Sequence, residues 1–191
     1  MYKLCRTEQS SARQKKLEKG LLETMQTQRY EEISVSDLCD RLNIPRKSFY
    51  RYFSGKDGAL YALIDHTILE HESTLFNLNG RESKMRRKEM ERFFLFWKKQ
   101  KPLLDALHRS GLTEVLVRRT VNHALEDAGS SIRVLLQDNR TAAECAMTFV
   151  VCGLMALVLK WHESGFEMPL DQIAAISTEL VTKPLLIPEL P

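Results

Sequence analysis

The stretch that decides the fold runs from Ser34 to Phe53 and reads SVSDLCDRLNIPRKSFYRYF. Ser34 is a good helix N-cap, and Val35, Leu38, Cys39 and Leu42 follow it at i, i+3, i+4 and i+7, one face of a short amphipathic helix. Asn is the non-glycine residue that best tolerates a left-handed backbone, so the chain can reverse at Asn43. Pro45 then suits the first position of a new helix. That helix reads Arg46-Lys47-Ser48-Phe49-Tyr50-Arg51-Tyr52-Phe53, with Phe49 and Phe53 four apart to anchor it on a core. Its other side is cationic, hydroxylic and aromatic. Two short helices around a tight turn, the second with such a face, are the layout of a helix-turn-helix.

Working outward, Leu17, Leu21 and Met25 form a stripe at i, i+4, i+8 that predicts a first helix from about Ser11 to Thr27, closed over by Tyr30 and Ile33. On the other side Ser54 with Asp57 resembles a capping box, opening a long fourth helix through Leu60, Leu63, Ile64, Ile68 and Leu75. Past a polar boundary at Asn77-Leu78-Asn79-Gly80, helices are expected around Met90, Phe93, Phe94 and Trp97, and then Leu103, Leu104 and Leu107. A helical pattern over 112–137 is interrupted at Gly129-Ser130-Ser131, which reads as a break, a kink or a tolerated weak spot. Thr141-Ala142-Ala143-Glu144 is a second capping-box signature, opening an apolar helix to about His162. Gly165 suits its stop and Pro169 a fresh start, and Ile173, Ile176 and Leu180 mark a last helix before the tail Pro184 to Pro191. No β-type alternation persists, so the expected fold is all-α: a three-helix module over 1–55 and a larger helical domain over 56–191.

The chain has 191 residues, 28% charged and 43% apolar, with eight Gly and six Pro, which excludes disordered and low-complexity classes. The net charge of +3 is unevenly placed: residues 1–60 hold 12 Lys and Arg against 8 Asp and Glu. A local basic surface suits a polyanion, because neutralising phosphates releases counterions. No apolar core of a signal peptide follows Met1, so a cytoplasmic location is expected. The apolar stretch Cys145 to Leu159 is too short for a bilayer and is expected as a buried helix, with no membrane partner. Cys5, Cys39, Cys145 and Cys152 include no C-x-x-C pair and no nearby His at zinc spacing, so neither a metal nor a cofactor is expected. Cys145 and Cys152, two helical turns apart, are expected to pack as small hydrophobes. No phosphate-binding loop, dinucleotide fingerprint, H-E-x-x-H or nucleophile elbow occurs, and His66 and His71 are five apart, off one helical face. The chain is therefore not expected to be an enzyme.

The chemistry of residues 34–53 follows from groove geometry. A helix fits the major groove of B-DNA, where Arg or Lys donates to guanine O6 and N7 and Ser bonds a base edge or phosphate. Tyr hydroxyls and Lys ammonium groups act best at phosphates, which fix register rather than sequence. Residues 11–65 resemble the DNA-binding module of the TetR family of transcriptional regulators, which ends in a pattern close to Tyr-x-x-Phe-x-x-Lys followed by apolar residues; here these are Tyr50, Phe53, Lys56 and Leu60. Upstream, Ser34-Val35-Ser36-Asp37-Leu38-Cys39 resembles the family's second-helix start, and Leu42-Asn43-Ile44-Pro45 occupies its Ala-Gly-Val-Ser turn. The resemblance implies base-edge contacts by Arg46, Lys47 and Ser48, with Ser36 as a further candidate. It implies phosphate contacts by Ser34, Tyr50, Tyr52 and Lys56, with Arg51 in either role. Asn43 departs from the usual Gly, and Pro45 replaces a hydroxyl residue and offers neither side-chain hydrogen bond nor N–H.

One recognition helix covers few base pairs, so a homodimer on a palindromic operator is expected. The resemblance implies a four-helix interface from helices near 142–162 and 169–182, and a small-molecule effector that changes DNA affinity through the helix after residue 56, repression being the family's commoner outcome. Such pockets are apolar and aromatic, making Phe93, Phe94, Trp97, Leu107, Met147 and Trp161 the candidate effector residues. The alternative is a TetR-like protein-interaction or co-activator module without a small-molecule ligand, marked by an exposed apolar patch outside the dimer face.

Overall fold

The computed structural model describes residues 2–3, 7–75, 83–127 and 140–182. Among them are nine α-helices: α1 Glu8–Met25, α2 Val35–Arg41, α3 Arg46–Tyr52, α4 Lys56–Leu75, α5 Ser83–Lys99, α6 Lys101–Arg109, α7 Thr113–Asp127, α8 Arg140–Glu163 and α9 Leu170–Thr182. A 3₁₀ turn, Tyr30–Glu32, joins α1 to α2, and an antiparallel bridge between Tyr2 and Phe53 is the one β-type pairing among the described residues. The architecture is all-α, as the periodicity predicts. Cys5, the boundary at Asn77 to Gly80, the interruption at Gly129-Ser130-Ser131 and the tail from Pro184 lie outside the described residues.

Packing divides the chain into two compact units, Met1–Glu70 with Pro102–Thr120, and His71–Lys101 with Val121–Pro191. Residues of α4 up to Glu70 belong to the first unit, with Ala59, Leu60, Ala62, Leu63, Ile64 and Ile68 buried.

In the first unit α1 begins before Ser11 because Thr7 caps it, its hydroxyl oxygen accepting the Ser10 N–H at 3.2 Å. Leu17, Leu21 and Met25 are buried with Tyr30, Ile33, Leu38, Phe49 and Phe53. A Cβ at Gly20 would lie 2.5 Å from Cδ1 of Leu42, so the missing side chain lets Leu42 rest on the α1 backbone. Ser34 caps α2, accepting the Asp37 N–H at 3.1 Å. Asn43 at φ 51 ends it: the Ile44 N–H reaches the Cys39 carbonyl at 2.9 Å and the Asn43 N–H the Asp40 carbonyl at 3.1 Å, the Schellman pattern. Pro45 is the N-cap of α3 and not its first helical residue. Its ψ of 138 is extended, and its carbonyl accepts the Ser48 N–H at 2.8 Å.

In the second unit Trp161 of α8 meets Phe94 of α5 edge-on, with centroids 5.7 Å apart, and its Nε1 donates to the Met168 carbonyl at 2.8 Å. Gly165 at φ 70 stops α8, with the Phe166 N–H on the Trp161 carbonyl at 2.8 Å. The helix starts by Arg140, so Thr141 lies inside its first turn and is not the cap; Glu144 pairs instead with Arg140 at 2.7 Å. In α9 Ile173, Ala174 and Ser177 are buried, whereas Ile176 and Leu180 remain 39% and 41% exposed.

Candidate nucleic-acid interface

Seven residues of helix give α3 two turns, and Phe49 and Phe53, at 0% and 1% exposure, turn one side into the core. At 100° per residue this leaves Lys47, Tyr50 and Arg51 outward, and all three are exposed, as is Arg46 at the first position of the helix. The Tyr50 ring stands edge-on to Phe49 at 5.5 Å, so the phenol projects from a fixed base. Among the described residues no carboxylate forms an ion pair with Arg46, Lys47 or Arg51. Ser36 and Ser48 are half-buried at the edges of this face.

Three other residues expected at phosphates, Lys56, Ser34 and Tyr52, make contacts within this unit. The Lys56 ammonium donates to the carbonyls of Tyr30 at 2.5 Å and Glu31 at 3.3 Å and lies 4.3 Å from the centroid of the Tyr30 ring. It secures the 3₁₀ turn from the start of α4. The Ser34 hydroxyl both accepts from the Asp37 N–H and donates to its carboxylate at 2.6 Å, which fixes it as a cap. Tyr52 is buried, its ring packed near Phe53.

The module is braced from behind. The Tyr30 hydroxyl donates to Asp57 at 2.6 Å and its N–H to Ser110 Oγ at 3.0 Å; burial first, then the Asp57 hydrogen bond, pushes the phenol pKa up. The Lys3 N–H donates to the Tyr52 carbonyl at 3.0 Å, tying the N-terminal residues to the end of α3. From there the Tyr2 hydroxyl reaches the buried Asp65 carboxylate at 2.7 Å, which also accepts the Nε and Nη2 hydrogens of Arg119. His66 Nδ1 lies 2.9 Å from the Glu18 carboxylate, and that hydrogen bond is the first reason its pKa is raised; burial opposes it. Burial pushes the Cys39 thiol up, the opposite of what a reactive cysteine needs.

Arg13 and Lys16 were not among the residues singled out from the sequence. Both line a small cleft between α1 and α3, floored by Leu17 and Ile44 and edged by Ser48, Arg51 and Tyr52. Their spacing of three on α1 was readable, but which helix they would face was not.

In the second unit Phe93, Phe94, Trp97, Met147 and Trp161 are buried, and Phe93 and Trp97 stand 6.5 Å apart, centroid to centroid. Leu107, equally buried, belongs to the first unit and is not among them. Trp97 Nε1 is buried with no hydrogen-bond acceptor. The helix α8 has 24 residues, and 33% of its most apolar stretch is buried within this chain. Cys145 is exposed and Cys152 half-buried, so neither is wholly enclosed as expected. Phe149 is 73% exposed. It flanks an apolar groove of about 590 Å³ with Val150, Leu154 and Leu157 of α8 and Leu180 and Val181 of α9.

No protein-family model matches the chain. No curated protein matches it by sequence. Solved structures match over nearly its whole length. A TetR-family transcriptional regulator from Streptomyces coelicolor is similar with a TM-score of 0.57 at 16% identity, over 90% of this chain and 79% of that one. The TetR-family repressor AlkX from a Dietzia strain, implicated in biodegradation of n-alkanes, gives 0.56 at 14% identity over 88% and 92%. The dihydroxyacetone kinase operon activator DhaS gives 0.54 at 16% over 88% and 93%. With two short helices around an Asn43 turn, an outward cationic α3 and an all-α second unit, the chain has the fold of TetR-family transcriptional regulators.

Proposed function

We propose that this chain is a DNA-binding transcription regulator that docks α3 in the major groove and binds a palindromic operator as a homodimer. The observation that carries the reading is the outward face of α3, where Arg46, Lys47 and Arg51 stand exposed without a carboxylate partner among the described residues. Unanswered guanidinium and ammonium groups beside Ser48 and Tyr50 have the chemistry of base edges and phosphates. Arg46, Lys47 and Ser48 are assigned to base edges with Ser36 at the margin, Tyr50 to a phosphate, and Arg51 to either.

The dimer reading rests on α8 and α9. Phe149, Ile176 and Leu180 leave apolar surface that a second copy would cover, and Ser177 Oγ is buried there without a hydrogen-bond partner. A two-fold contact of α8 and α9 with their copies would present two recognition helices to half-sites about 34 Å apart. A small-molecule effector is supported by the unpartnered Nε1 of Trp97 amid Phe93, Phe94 and Trp161, a donor left for a ligand's acceptor. The effector acts by binding the DNA-competent and DNA-incompetent states differently, and repression is the assigned outcome.

The test is selection of genomic fragments by the purified protein at near-physiological salt, beside an Arg46→Ala, Lys47→Ala variant. A palindromic motif recovered by the wild type and lost by the variant is the expected result. No enrichment, or equal enrichment by both, overturns the assignment.

A further inference from the structure

The α1 helix carries four cations, and their partners differ. Lys15 lies 3.6 Å from Glu70 and Lys19 lies 3.8 Å from Glu23, whereas Arg13 and Lys16 form no ion pair among the described residues. These two instead face the cleft that Ser48 and Arg51 of α3 close from the other side, above the apolar floor of Leu17 and Ile44. Three cationic residues, with Ser48 and Tyr52, thus line a cleft whose wall holds no carboxylate. At about 220 Å³ the cleft is smaller than pockets that hold drug-sized ligands, roughly 300 to 1,000 Å³, but open to a single tetrahedral oxyanion.

We infer that this cleft holds one backbone phosphate of the bound duplex and that α1, through Arg13 and Lys16, is a second DNA-contacting element. The inference rests on the proposed docking of α3. Ser48 and Arg51 sit at the edge of the same short helix whose outer face carries Lys47 and Tyr50, so the cleft borders the recognition surface on its α1 side. A helix in the major groove is flanked by the two sugar–phosphate strands, and the strand passing α1 brings its phosphates to this edge. Arg13 and Lys16 then set register and affinity while Arg46 and Lys47 read sequence.

The test measures binding of an Arg13→Gln, Lys16→Gln variant to the selected site and to random duplex by fluorescence anisotropy across salt. Both residues are exposed, and a thermal melt checks that the variant folds. The expected result is a loss of about 10- to 100-fold on both duplexes with the ratio between them kept, and a log–log salt slope shallower by about 0.9 per lost contact. Replacing single phosphates by neutral methylphosphonates should reveal one position that weakens the wild type about tenfold and leaves the variant unchanged. Wild-type affinity and slope in the variant overturn the inference, as does a loss confined to the specific site. Competition by millimolar inorganic phosphate at constant ionic strength, without any methylphosphonate effect, reassigns the cleft to a free anion and also overturns it. A wild type that binds no duplex at all is the distinct failure of the docking reading itself.

Discussion

Phe149 offers a quantitative test of the partner face. It is 73% exposed on α8 beside the groove formed with α9. A buried aromatic side chain removes about 150–250 Å² from water, so roughly 150 Å² on each protomer is available for a second copy to cover. At about 25 cal/mol per Å² that is close to 4 kcal/mol per protomer, and two-fold symmetry counts it twice. Allowing for incomplete coverage, Phe149→Ala should weaken dimerisation by about 3 to 7 kcal/mol, or roughly 10²- to 10⁵-fold in the dissociation constant. Sedimentation velocity over nanomolar to micromolar protein reads this directly. The wild-type melting temperature should rise with concentration while that of the variant does not, because only a dimer links stability to mass action. Half-site binding should persist in the variant and palindrome binding should collapse. An unchanged dimer constant, or a wild type that stays monomeric at micromolar concentration, would refute the assignment of this face.

Three further outcomes follow from the first unit. Arg119→Met removes the guanidinium that pairs with the buried Asp65 carboxylate, and should cost about 3 kcal/mol in chemical denaturation, whereas adding Asp65→Leu should recover most of it; equal losses in single and double variants would discount the pair. The His66 pKa is raised by Glu18, so its contribution to stability is fully present below about pH 6.5 and lost as pH rises through the elevated value. The wild type should thus lose stability between mildly acidic and mildly alkaline pH relative to His66→Gln, and parallel pH profiles in the two proteins would contradict this. Lys56→Met should destabilise the unit by about 1 to 2 kcal/mol through the lost carbonyl contacts at Tyr30 and Glu31. Because that ammonium is engaged internally, the salt dependence of DNA binding should not change, and a shallower slope would restore Lys56 to the phosphates.

The readings that the structure bears out are those decided within a few residues. The Ser34 cap, the left-handed Asn43 and the burial of Phe49 and Phe53 depend on local dihedrals and on the 3.6-residue period, and a single sequence carries both. The position of Pro45 slipped by one because an extended ψ is as open to proline as a helical one, and the pattern around it is the same in either case. At α8 the capping-box residues Thr141 and Glu144 fell inside the helix, where the same spacing of three to four also serves an ion pair with Arg140.

What distance in sequence hides is which group answers which charge. Lys56 meets carbonyls 25 and 26 residues away, and Asp65 meets an arginine 54 residues away, so neither partner could be read from the neighbourhood of the motif. The same ignorance cuts both ways along the cationic surface. Lys56, expected at a phosphate, is engaged by the Tyr30 ring and carbonyls, while Arg13 and Lys16, which the sequence did not single out, line a cleft beside Arg51. Counting cations therefore does not tell which are engaged: Lys56 donates to carbonyls, whereas Arg46, Lys47 and Arg51 on α3 and Arg13 and Lys16 on α1 form no ion pair among the described residues. A folded chain that pairs Lys15 and Lys19 with glutamates, yet leaves their neighbours Arg13 and Lys16 unpaired around a cleft, has a charge distribution that a polyanion would complete.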